Sequence, residues 1–383
     1  MSSANTNNYR TEAIRNAKSV VVKVGTRVLT TPAGKLDRDR IRVLANQLCR
    51  IAATGRQTIM VSSGAVGAGM GKLALATRPT GLSQLQAIAA IGQTDLIQAY
   101  DAAISASGRH AAQVLLTRSD LRRRSGYLHV RNALTQIHEF GAIAVVNEND
   151  SVAVGELMTT FGDNDRLAAE VSGLLNDALL VILSDINGLY DGPPNDPASK
   201  CIDVVESLDA SVFAFAQDHN STVSKGGMAS KLGAAKIATT YGHPTVIGPG
   251  RDDAVLDKVM AGETIGTLFL PNDKSIRGRR RWIGSAANVQ GTLHLDAGAA
   301  RAVKEKGSSL LAIGVKKVAG VFKRGSVVSI VDENGTQLAR GLCNYPSDEL
   351  EKIIGKPSDK IAEILGHCPY ESVVHRDNMT VGV

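Results

Sequence analysis

The sequence of 383 residues lacks closely spaced cysteines and long apolar runs. Its four cysteines, Cys49, Cys201, Cys343 and Cys368, lie far apart, without a CxxC motif or a histidine at metal-ligand spacing. This pattern indicates neither a zinc site nor a disulfide framework, and it fits a reducing cytoplasm. No run approaches the roughly 20 apolar residues of a membrane span, and the polar start MSSANTNNYR lacks the apolar core of a signal peptide. We therefore expect a soluble, cytoplasmic protein that does not bind membranes.

Two common nucleotide-binding motifs are also missing. The sequence has no Walker A motif at Gly71-Lys72, because Leu73 follows where Ser or Thr is required and Val66 stands where the first glycine is required. No GxGxxG follows the first predicted strand, which excludes the dinucleotide-binding fingerprint. Glycine-rich loops nevertheless follow several strands, and their bare backbone N–H groups can close on a phosphate oxygen. Close helix packing explains the glycines of SSGAVGAGMG about as well.

Five of the six excess positive charges lie in one short segment. Residues 1 to 273 carry as many acidic as basic residues, and residues 283 to 383 are within one charge of balance. The excess lies in KSIRGRRRW, residues 274 to 282. A broad phosphate-binding face needs positive charge spread across a domain. Five clustered charges are more typical of a solvated linker, so RNA is not the expected main ligand.

Strand-like and helix-like segments alternate through the first two thirds of the chain. Short β-branched runs such as SVVVKV, residues 19 to 24, are followed by segments with apolar residues at helical spacing. This alternation predicts βαβ units and a mostly parallel sheet sandwiched by helices. Past residue 282, short β-like runs and the turn Asn334-Gly335 predict a second, smaller β-rich domain. The predicted segments are a flexible N-terminal extension at 1–17, an α/β domain at 18–273, a basic linker at 274–282 and a β-rich domain at 283–383.

Polar or glycine-rich motifs follow four of the predicted strands. They are KVGT, SSGAVGAG, VNEND and LSDINGLY. Ligands bind at the carboxyl ends of strands in open α/β sheets, so we expect these motifs to meet at one edge. The densest stretch, Val145 to Glu170, holds two clusters of Asn and Asp side chains. A single Asn or Asp is an ordinary turn or cap residue, but two clusters favour a site that combines acceptors, amide donors and negative charge.

Two lysines stand in settings that favour a bound anion. Lys23 lies next to the end of an apolar run, directly before Gly25-Thr26, where a lysine avoids burial unless an anion meets it. Lys231 lies at the opening of a predicted helix, where the helix dipole repels a cation unless a polyphosphate faces it. For either residue taken alone, the alternative explanation is a lysine whose side chain extends into solvent.

Six motifs follow one another along the predicted α/β domain: VVKVGTRVLT, VSSGAVGAG, VNEND, FGDNDRLAA, LSDINGLY and SKGGMASKLGAAKIA. They resemble the amino-acid kinase family and, within it, the members that phosphorylate glutamate. The later segments RRRWIG, GSSLLAIGV, FKRGSVVSI, ARGLCNYPSDEL and VHRDNM are similar to the PUA domain fused to many bacterial members. The resemblance covers about residues 18 to 380. It implies an amino-acid kinase fold followed by a PUA domain.

The resemblance implies an activity and its cofactor. ATP with Mg²⁺ would phosphorylate the side-chain carboxylate of L-glutamate to L-glutamyl 5-phosphate, the first step of proline biosynthesis. It implies catalytic roles for Lys23, Lys231 and Asp165, with Asp165 keeping the two lysines oriented. Ser63, Asp150 and Asn164 match the positions that bind glutamate. The implied ATP-binding positions are Gly25, Gly64, Ser184, Asp185, Lys225, Gly226, Gly227, Met228, Ala229, Ser230 and Lys231. No metal-ligating residue is implied, because the nucleotide and water hold most of the Mg²⁺.

Asp150 has a physical reason for its implied role. Free glutamate carries an ammonium group that a buried carboxylate can pair, whereas an N-acetylated substrate does not. Three positions depart from the commoner family pattern: Ser224-Lys225 stands where Gly-Thr is frequent, Ser230 replaces a frequent Thr, and Thr26-Arg27 replaces Thr-Ser or Ser-Ser. Lys225 therefore has two possible roles: it contacts the nucleotide, or it is only solvated.

The resemblance also implies partners and leaves alternatives. Proline is implied as a feedback inhibitor that acts through the glutamate pocket, where Glu156 helps to shape the loop. A homo-oligomer and glutamyl phosphate reductase are implied as assembly and partner. The competing interpretations are another carboxylate or carbamate kinase of the same fold, and an RNA-binding protein that acts through its PUA domain.

Overall fold

A computed structural model describes residues 3–31, 34–152, 163–194, 196–215, 227–271, 283–284, 288–368 and 370–382. The chain divides into two compact units, residues 1–120 with 128–275 and residues 121–127 with 276–383. The predicted linker, 274–282, lies outside the described residues, and the exact domain bounds stay predictions. Among the helices in the described ranges, none combines the length and apolar character that a bilayer crossing requires.

The first unit is built on an eight-stranded sheet. Its strands are β1 Ser19–Val24, β2 Gln57–Ser62, β3 Ala111–Leu116, β4 Ile143–Glu148, β5 Ala178–Ser184, β6 Val204–Val205, β7 Thr245–Pro249 and β8 Thr267–Phe269. They lie in the order β3-β4-β2-β1-β5-β7-β8-β6. All neighbours are parallel except β7 and β8, which run antiparallel. The prediction of a mostly parallel α/β sheet is therefore confirmed.

Helices connect these strands, as parallel neighbours require. They are α1 Ser3–Asn16, α2 Thr26–Leu29, α3 Arg38–Ala53, α4 Ala65–Lys72, α5 Leu82–Ser105, α6 Arg118–Arg122, α7 Arg124–Glu139, α8 Asp163–Ser172, α9 Ala210–Ala214, α10 Gly227–Thr240 and α11 Val255–Ala261. α3 packs against α5 and α11, while α8 packs against α10 and against β1.

Strand β1 sits at the centre of the sheet and shows why the site forms there. Val20, Val22 and Val24 belong to the apolar core that also contains residues of α3 and α5. Successive side chains of a strand point to opposite faces. Lys23 is therefore out of phase with that core and lies on the face covered by α8. The sheet order places β4, β2, β1 and β5 side by side and parallel, so the four motifs that follow them start from one edge.

The N-terminal segment differs from the sequence-based expectation. Residues 3–16, predicted as part of a flexible extension, form helix α1. Arg10 is buried, and its guanidinium donates to the backbone oxygens of Asp203, Ile265 and Gly266. Ile14, with Tyr9 and Ala13, packs against the apolar core. These three carbonyl oxygens accept from the two terminal nitrogens of the guanidinium and offset part of the cost of burying its charge.

Helices α4 and α5 meet at two glycines. A Cβ atom on Gly69 would collide with the carbonyl oxygen of Ile88, and one on Gly92 would collide with that of Ala65. The two backbones can approach this closely only because neither position carries a side chain. This contact fixes the middle of α5 against the first turn of α4.

The second unit has a separate apolar core and two sheets. Strands β9 Val289–Leu295, β11 Val315–Ala319, β12 Val327–Val331, β13 Gln337–Leu342 and β15 Met379–Val381 form a five-stranded sheet, and β10 Leu310–Leu311 pairs with β14 Ser372–Val374. Helices α12 Ala297–Lys306, α13 Ser347–Ile353 and α14 Ile361–Leu365 accompany them. β12 and β13 are antiparallel and flank Asn334-Gly335, so the predicted hairpin is confirmed. One of the short β-like runs of the sequence, residues 309–314, contains only the two-residue strand β10, which is followed by a 3₁₀ turn, Ala312–Gly314.

Candidate active site

Three charged side chains meet at the centre of the sheet edge. Lys23 Nζ, from β1, lies 2.6 Å from Asp165 Oδ1, in the first turn of α8. Lys231 Nζ, from α10, lies 3.5 Å from Asp165 Oδ2 and donates to the backbone oxygen of Gly227 at 3.1 Å. The exposed fractions of the Lys23, Lys231 and Asp165 side chains are only 7%, 12% and 2%. One carboxylate therefore holds two largely buried ammonium groups.

The protonation states follow from this geometry. Burial acts to raise the pKa of Asp165, but Lys23 and Lys231 outweigh burial and hold its pKa below the ordinary value of 3.8. Burial lowers the pKa of Lys231, and the positive charge of Lys23 lowers it further, against the opposing effect of Asp165. The two lysines thus hold Asp165 in its anionic form, and the cluster contains two basic side chains and one acidic side chain. Such a site favours an anionic ligand.

Neutral amides form the neighbouring part of the site. Asn164 Nδ2 donates to Ser63 Oγ at 2.9 Å and to Asn147 Oδ1 at 3.0 Å. Asn147 Nδ2 in turn donates to Gln93 Oε1, from α5, at 2.8 Å. Asn164 and Asp165 are consecutive, so the first turn of α8 contributes one residue to the amide group and one to the charged group.

One amide oxygen of this group has no partner. Asn164 Oδ1 is buried and accepts no hydrogen bond from any residue that the structure describes. A buried polar atom without a partner carries a desolvation cost. The atom is therefore a candidate acceptor for a ligand.

The glycine loops border the charged cluster. A Cβ atom on Gly25 would lie 3.6 Å from Lys23 Nζ, so this loop passes directly beside the lysine. Its backbone N–H points toward the oxygen of Leu183 at 3.4 Å. Gly64 precedes α4 with a φ of 107°, a conformation that favours glycine. Ser63 immediately before it donates its backbone N–H to Val24, which ties the β2 loop to the β1 loop.

The loop after β5 carries a second carboxylate. Asp185 Oδ1 accepts from Ser184 Oγ at 3.0 Å, and its Oδ2 accepts from Arg27 in α2 at 2.8 Å. Partial burial acts to raise the pKa of Asp185, but these hydrogen bonds hold it below its usual range. Asp185 also acts electrostatically on Lys231. Asp185 therefore interacts with two other residues predicted on the nucleotide side, Ser184 and Lys231.

The remaining predicted residues, apart from Gly227, either have no contact described above with the charged cluster or lie outside the described ranges. Asp150 is half-buried in the turn that follows β4. Gly227 begins α10, and Met228, Ala229 and Ser230 complete its first turn before Lys231. Lys225, Gly226 and Glu156 lie outside the described residues. Within the described ranges, no three or more His, Cys, Asp or Glu side chains are arranged as a metal site.

Sequence reasoning overlooked two residues of this region. Gln93 belongs to a long helix with several glutamines, and nothing in its spacing marks it; its only signal is the neighbouring Gly92, at the tight helix contact. Arg27 stands where Ser is common in the family, and nothing in the sequence indicates that it forms an ion pair with Asp185.

Comparison with known proteins adds a family assignment for each unit. Residues 18–249 match the amino acid kinase family, and residues 291–365 match the PUA domain. The chain is 61% identical over 382 residues to the glutamate 5-kinase of Rhodopirellula baltica, a match that covers 100% of this chain and 98% of that protein. It is 43% identical to the glutamate 5-kinase of Chromohalobacter salexigens, over 97% of each chain. It is 44% identical to that of Moorella thermoacetica, over 96% of this chain and 97% of the relative.

Proposed function

We propose, since the chain belongs to the amino acid kinase family, that it transfers the γ-phosphoryl group of ATP to the side-chain carboxylate of L-glutamate. The products are ADP and L-glutamyl 5-phosphate, and the reaction is the first step of proline biosynthesis. The observation that carries this proposal is the full-length similarity to glutamate 5-kinases, at 61% identity in the case of the R. baltica enzyme. Another acceptor on the same fold is not favoured by these relatives.

The chemistry explains why the site needs no basic catalyst. A side-chain carboxylate has an ordinary pKa of about 4.3, so it is ionised at neutral pH and is ready to attack. A carboxylate oxygen forms a bond to the γ-phosphorus while the bond to the β,γ-bridging oxygen breaks, and that oxygen leaves with ADP. The barrier lies in bringing two anions together. Catalysis therefore consists of positioning and of charge stabilisation.

The charged cluster suits that task. We assign Lys23 to the transferring phosphoryl group on the side of β1, and Lys231 to the same group on the nucleotide side. Asp165 holds the ammonium groups of Lys23 and Lys231 in place between ATP and glutamate, because two buried cations would otherwise repel each other. The support for these roles is that the Asp165 carboxylate lies 2.6 Å from Lys23 Nζ and 3.5 Å from Lys231 Nζ.

The amide group suits recognition of the amino acid. We assign Ser63, Asp150 and Asn164 to glutamate, with the Asp150 carboxylate pairing the ammonium group. An N-acylated amino acid lacks that positive charge, so Asp150 would select against it.

The nucleotide belongs on the other side of Lys231. We assign Gly25 and Gly64 as backbone donors, and Ser184, Asp185 and the segment 225–231 to ATP. Mg²⁺ would enter with the nucleotide, held mainly by the nucleotide and water, and would neutralise part of the phosphate charge. Asp165 is not assigned to it, since both of its oxygens face lysines.

Trapping of the acyl phosphate with hydroxylamine tests the proposed activity. The assay contains ATP and Mg²⁺ with L-glutamate, N-acetyl-L-glutamate, L-aspartate or buffer alone. We expect hydroxamate with L-glutamate only. Hydroxamate with another acceptor would support kinase activity but contradict the assignment of glutamate as the substrate. If no acceptor gives hydroxamate, the proposed activity is wrong, and RNA binding through the PUA domain becomes the alternative.

Regulation and partners are the finer part of the proposal. Proline is proposed as a feedback inhibitor at the glutamate pocket, and the protein as a cytoplasmic homo-oligomer whose acyl phosphate product passes to glutamyl phosphate reductase. If proline competes for the pocket, millimolar proline lowers the rate at subsaturating glutamate and saturating glutamate restores it. A rate that proline leaves unchanged would contradict this part alone.

A further inference from the structure

A row of amides leads from helix α5 to the glutamate side of the site. Gln93 Oε1 accepts from Asn147 Nδ2 at 2.8 Å, and Asn147 Oδ1 accepts from Asn164 Nδ2 at 3.0 Å. Asn147 and Asn164 are buried, with exposed fractions of 1% and 6%. We refer to Gln93, Asn147 and Asn164 as the amide row. Each of these side chains has a donor end and an acceptor end, so each could in principle be turned around.

A backbone group fixes the direction of the whole row. Asn147 Oδ1 also accepts the backbone N–H of Glu148 at 2.9 Å. A backbone N–H can only donate, so the oxygen of Asn147 must face it and the nitrogen of Asn147 must face Gln93. Gln93 then has to present its oxygen, and Asn164 has to present its nitrogen to Asn147.

The direction of the row decides what Asn164 offers to a ligand. Since Asn164 Nδ2 is engaged by Asn147 and by Ser63, its Oδ1 points away from both and remains an acceptor without a partner among the described residues. An acceptor needs a donor. At neutral pH both carboxylates of glutamate only accept, and its ammonium group is its only donor.

The fold holds Gln93 where the row needs it. Gly92, its neighbour, contacts the first turn of α4 so closely that a Cβ atom would collide with the Ala65 oxygen. Gln93 is the next residue of α5, so its side chain starts from a helix that packs closely against α4. From there its Oε1 reaches Asn147.

We propose that Gln93 is a positioning residue that supports the polarity of the glutamate pocket: it holds Asn147 in the orientation that the backbone N–H of Glu148 selects, and Asn147 holds Asn164 with its oxygen toward the substrate ammonium group. This inference rests on the proposed function. Gln93 does not touch the reacting atoms, so it affects recognition of the free amino group and leaves phosphoryl transfer unchanged. Without it, the buried Asn147 Nδ2 loses its acceptor, so Asn147 is held in this orientation less firmly, and Asn164 with it.

The test compares Gln93→Met with wild type, using the hydroxamate assay. Methionine has nearly the same volume but removes the acceptor for Asn147. We expect KM for glutamate to rise about tenfold, the effect of one unmade buried hydrogen bond, while kcat and KM for ATP change less than about twofold. The preference for glutamate over N-acetyl-L-glutamate should fall, which a general loss of packing would not produce.

A double-mutant cycle shows whether Gln93 acts through Asn164. In an Asn164→Ala background, Gln93→Met should have no further effect on KM for glutamate. Gln98→Met is the matched control, because Gln98 is exposed on the same helix, and it should behave as wild type. Gln93→Leu gives the same comparison if the methionine variant does not fold.

The outcomes separate the inference from the function it rests on. Wild-type protein inactive with glutamate would overturn the proposed function itself. Active wild type with Gln93 variants of unchanged KM, or with effects that add fully to those of Asn164→Ala, would overturn only the role of Gln93. Equal losses in kcat and in both KM values would likewise contradict it, since they indicate a structural defect.

Discussion

The two sides of the candidate site use different physical means. On one side Lys23, Asp165 and Lys231 are joined by charge, with contacts of 2.6 and 3.5 Å. On the other side Asn164, Asn147 and Gln93 are neutral and are joined by directional hydrogen bonds. Charge acts over distance and tolerates movement, so it suits a phosphoryl group in transfer. Directional bonds distinguish a donor from an acceptor, so they suit recognition of an amino acid.

The difference teaches how the two functions can be separated by mutation. Loss of a charge beside the phosphoryl group should change the rate constant, whereas loss of a directional partner should change the affinity for glutamate. The variants below test this separation, and each is compared with wild type under saturating and subsaturating substrate.

The largest effect is expected for Lys231→Ala. We expect kcat to fall about a thousandfold, as for removal of one group that stabilises the transition state, with KM for glutamate within about threefold of wild type. Steady-state kinetics with glutamate varied at saturating ATP measure both. An equal change in kcat and KM would show that the charged side also recognises the amino acid.

Asp150→Ala should show the reverse pattern. Loss of a charge-assisted hydrogen bond to the ammonium group should raise KM for glutamate roughly 10- to 100-fold, with a much smaller change in kcat. The same kinetic series measures it, and Asp150→Asn separates loss of charge from loss of the side chain. If KM for glutamate is unaffected, Asp150 does not bind the ammonium group.

The acid stability of the charged side follows from the pKa of Asp165. Because Lys23 and Lys231 hold that pKa below 3.8 in the folded protein, ionised Asp165 stabilises the fold above about pH 4, and this stabilisation is lost as the pH falls through the lower folded value. Urea unfolding of wild type and Asp165→Asn should therefore show a gap in the free energy of unfolding at about pH 7 that narrows toward about pH 3. A gap that stays constant with pH would mean that the charge of Asp165 does not contribute.

The smallest effect is expected for Arg27→Ser, which introduces the residue common in the family. The Arg27–Asp185 pair is about half exposed, so solvent weakens it. We expect KM for ATP to rise about two- to fivefold, with KM for glutamate unchanged. A change in KM for glutamate instead would place Arg27 with the amide side. An unchanged KM for ATP would show that Asp185 needs no such partner.

The sequence predicts the charged side better than the neutral side. Lys23 and Lys231 are visible because a lysine at a buried strand end or at a helix start is costly without an anion. Gln93 is invisible because a glutamine inside a helix costs little wherever it points. Its role depends on the rotation of α5 and on the contact at Gly92, which only the packed structure supplies.

The fold shows a similar division. The alternating pattern is sufficient for β1 to β5 and for the longer helices α3, α5, α7 and α8 between them, since buried parallel strands read as continuous apolar runs. It does not predict α4, because SSGAVGAGMG reads as a glycine-rich loop. It misses α1, whose polar composition hides the spacing of Tyr9, Ala13 and Ile14 against the core. It also misses the short strands β14 and β15, because three residues carry too little periodicity to be recognised.

Asn164 and Asp165 follow one another in the first turn of α8, with Cα atoms about 3.8 Å apart. One peptide unit thus joins Asn164, assigned to the amino group of the substrate, to Asp165, which holds the lysines assigned to the phosphoryl group. Because a hydrogen-bonded helix does not stretch, the spacing of these two residues is fixed. Under the proposed function, α8 works as a gauge of substrate length. Aspartate, shorter by one methylene, would then match the spacing of the two ends less well than glutamate.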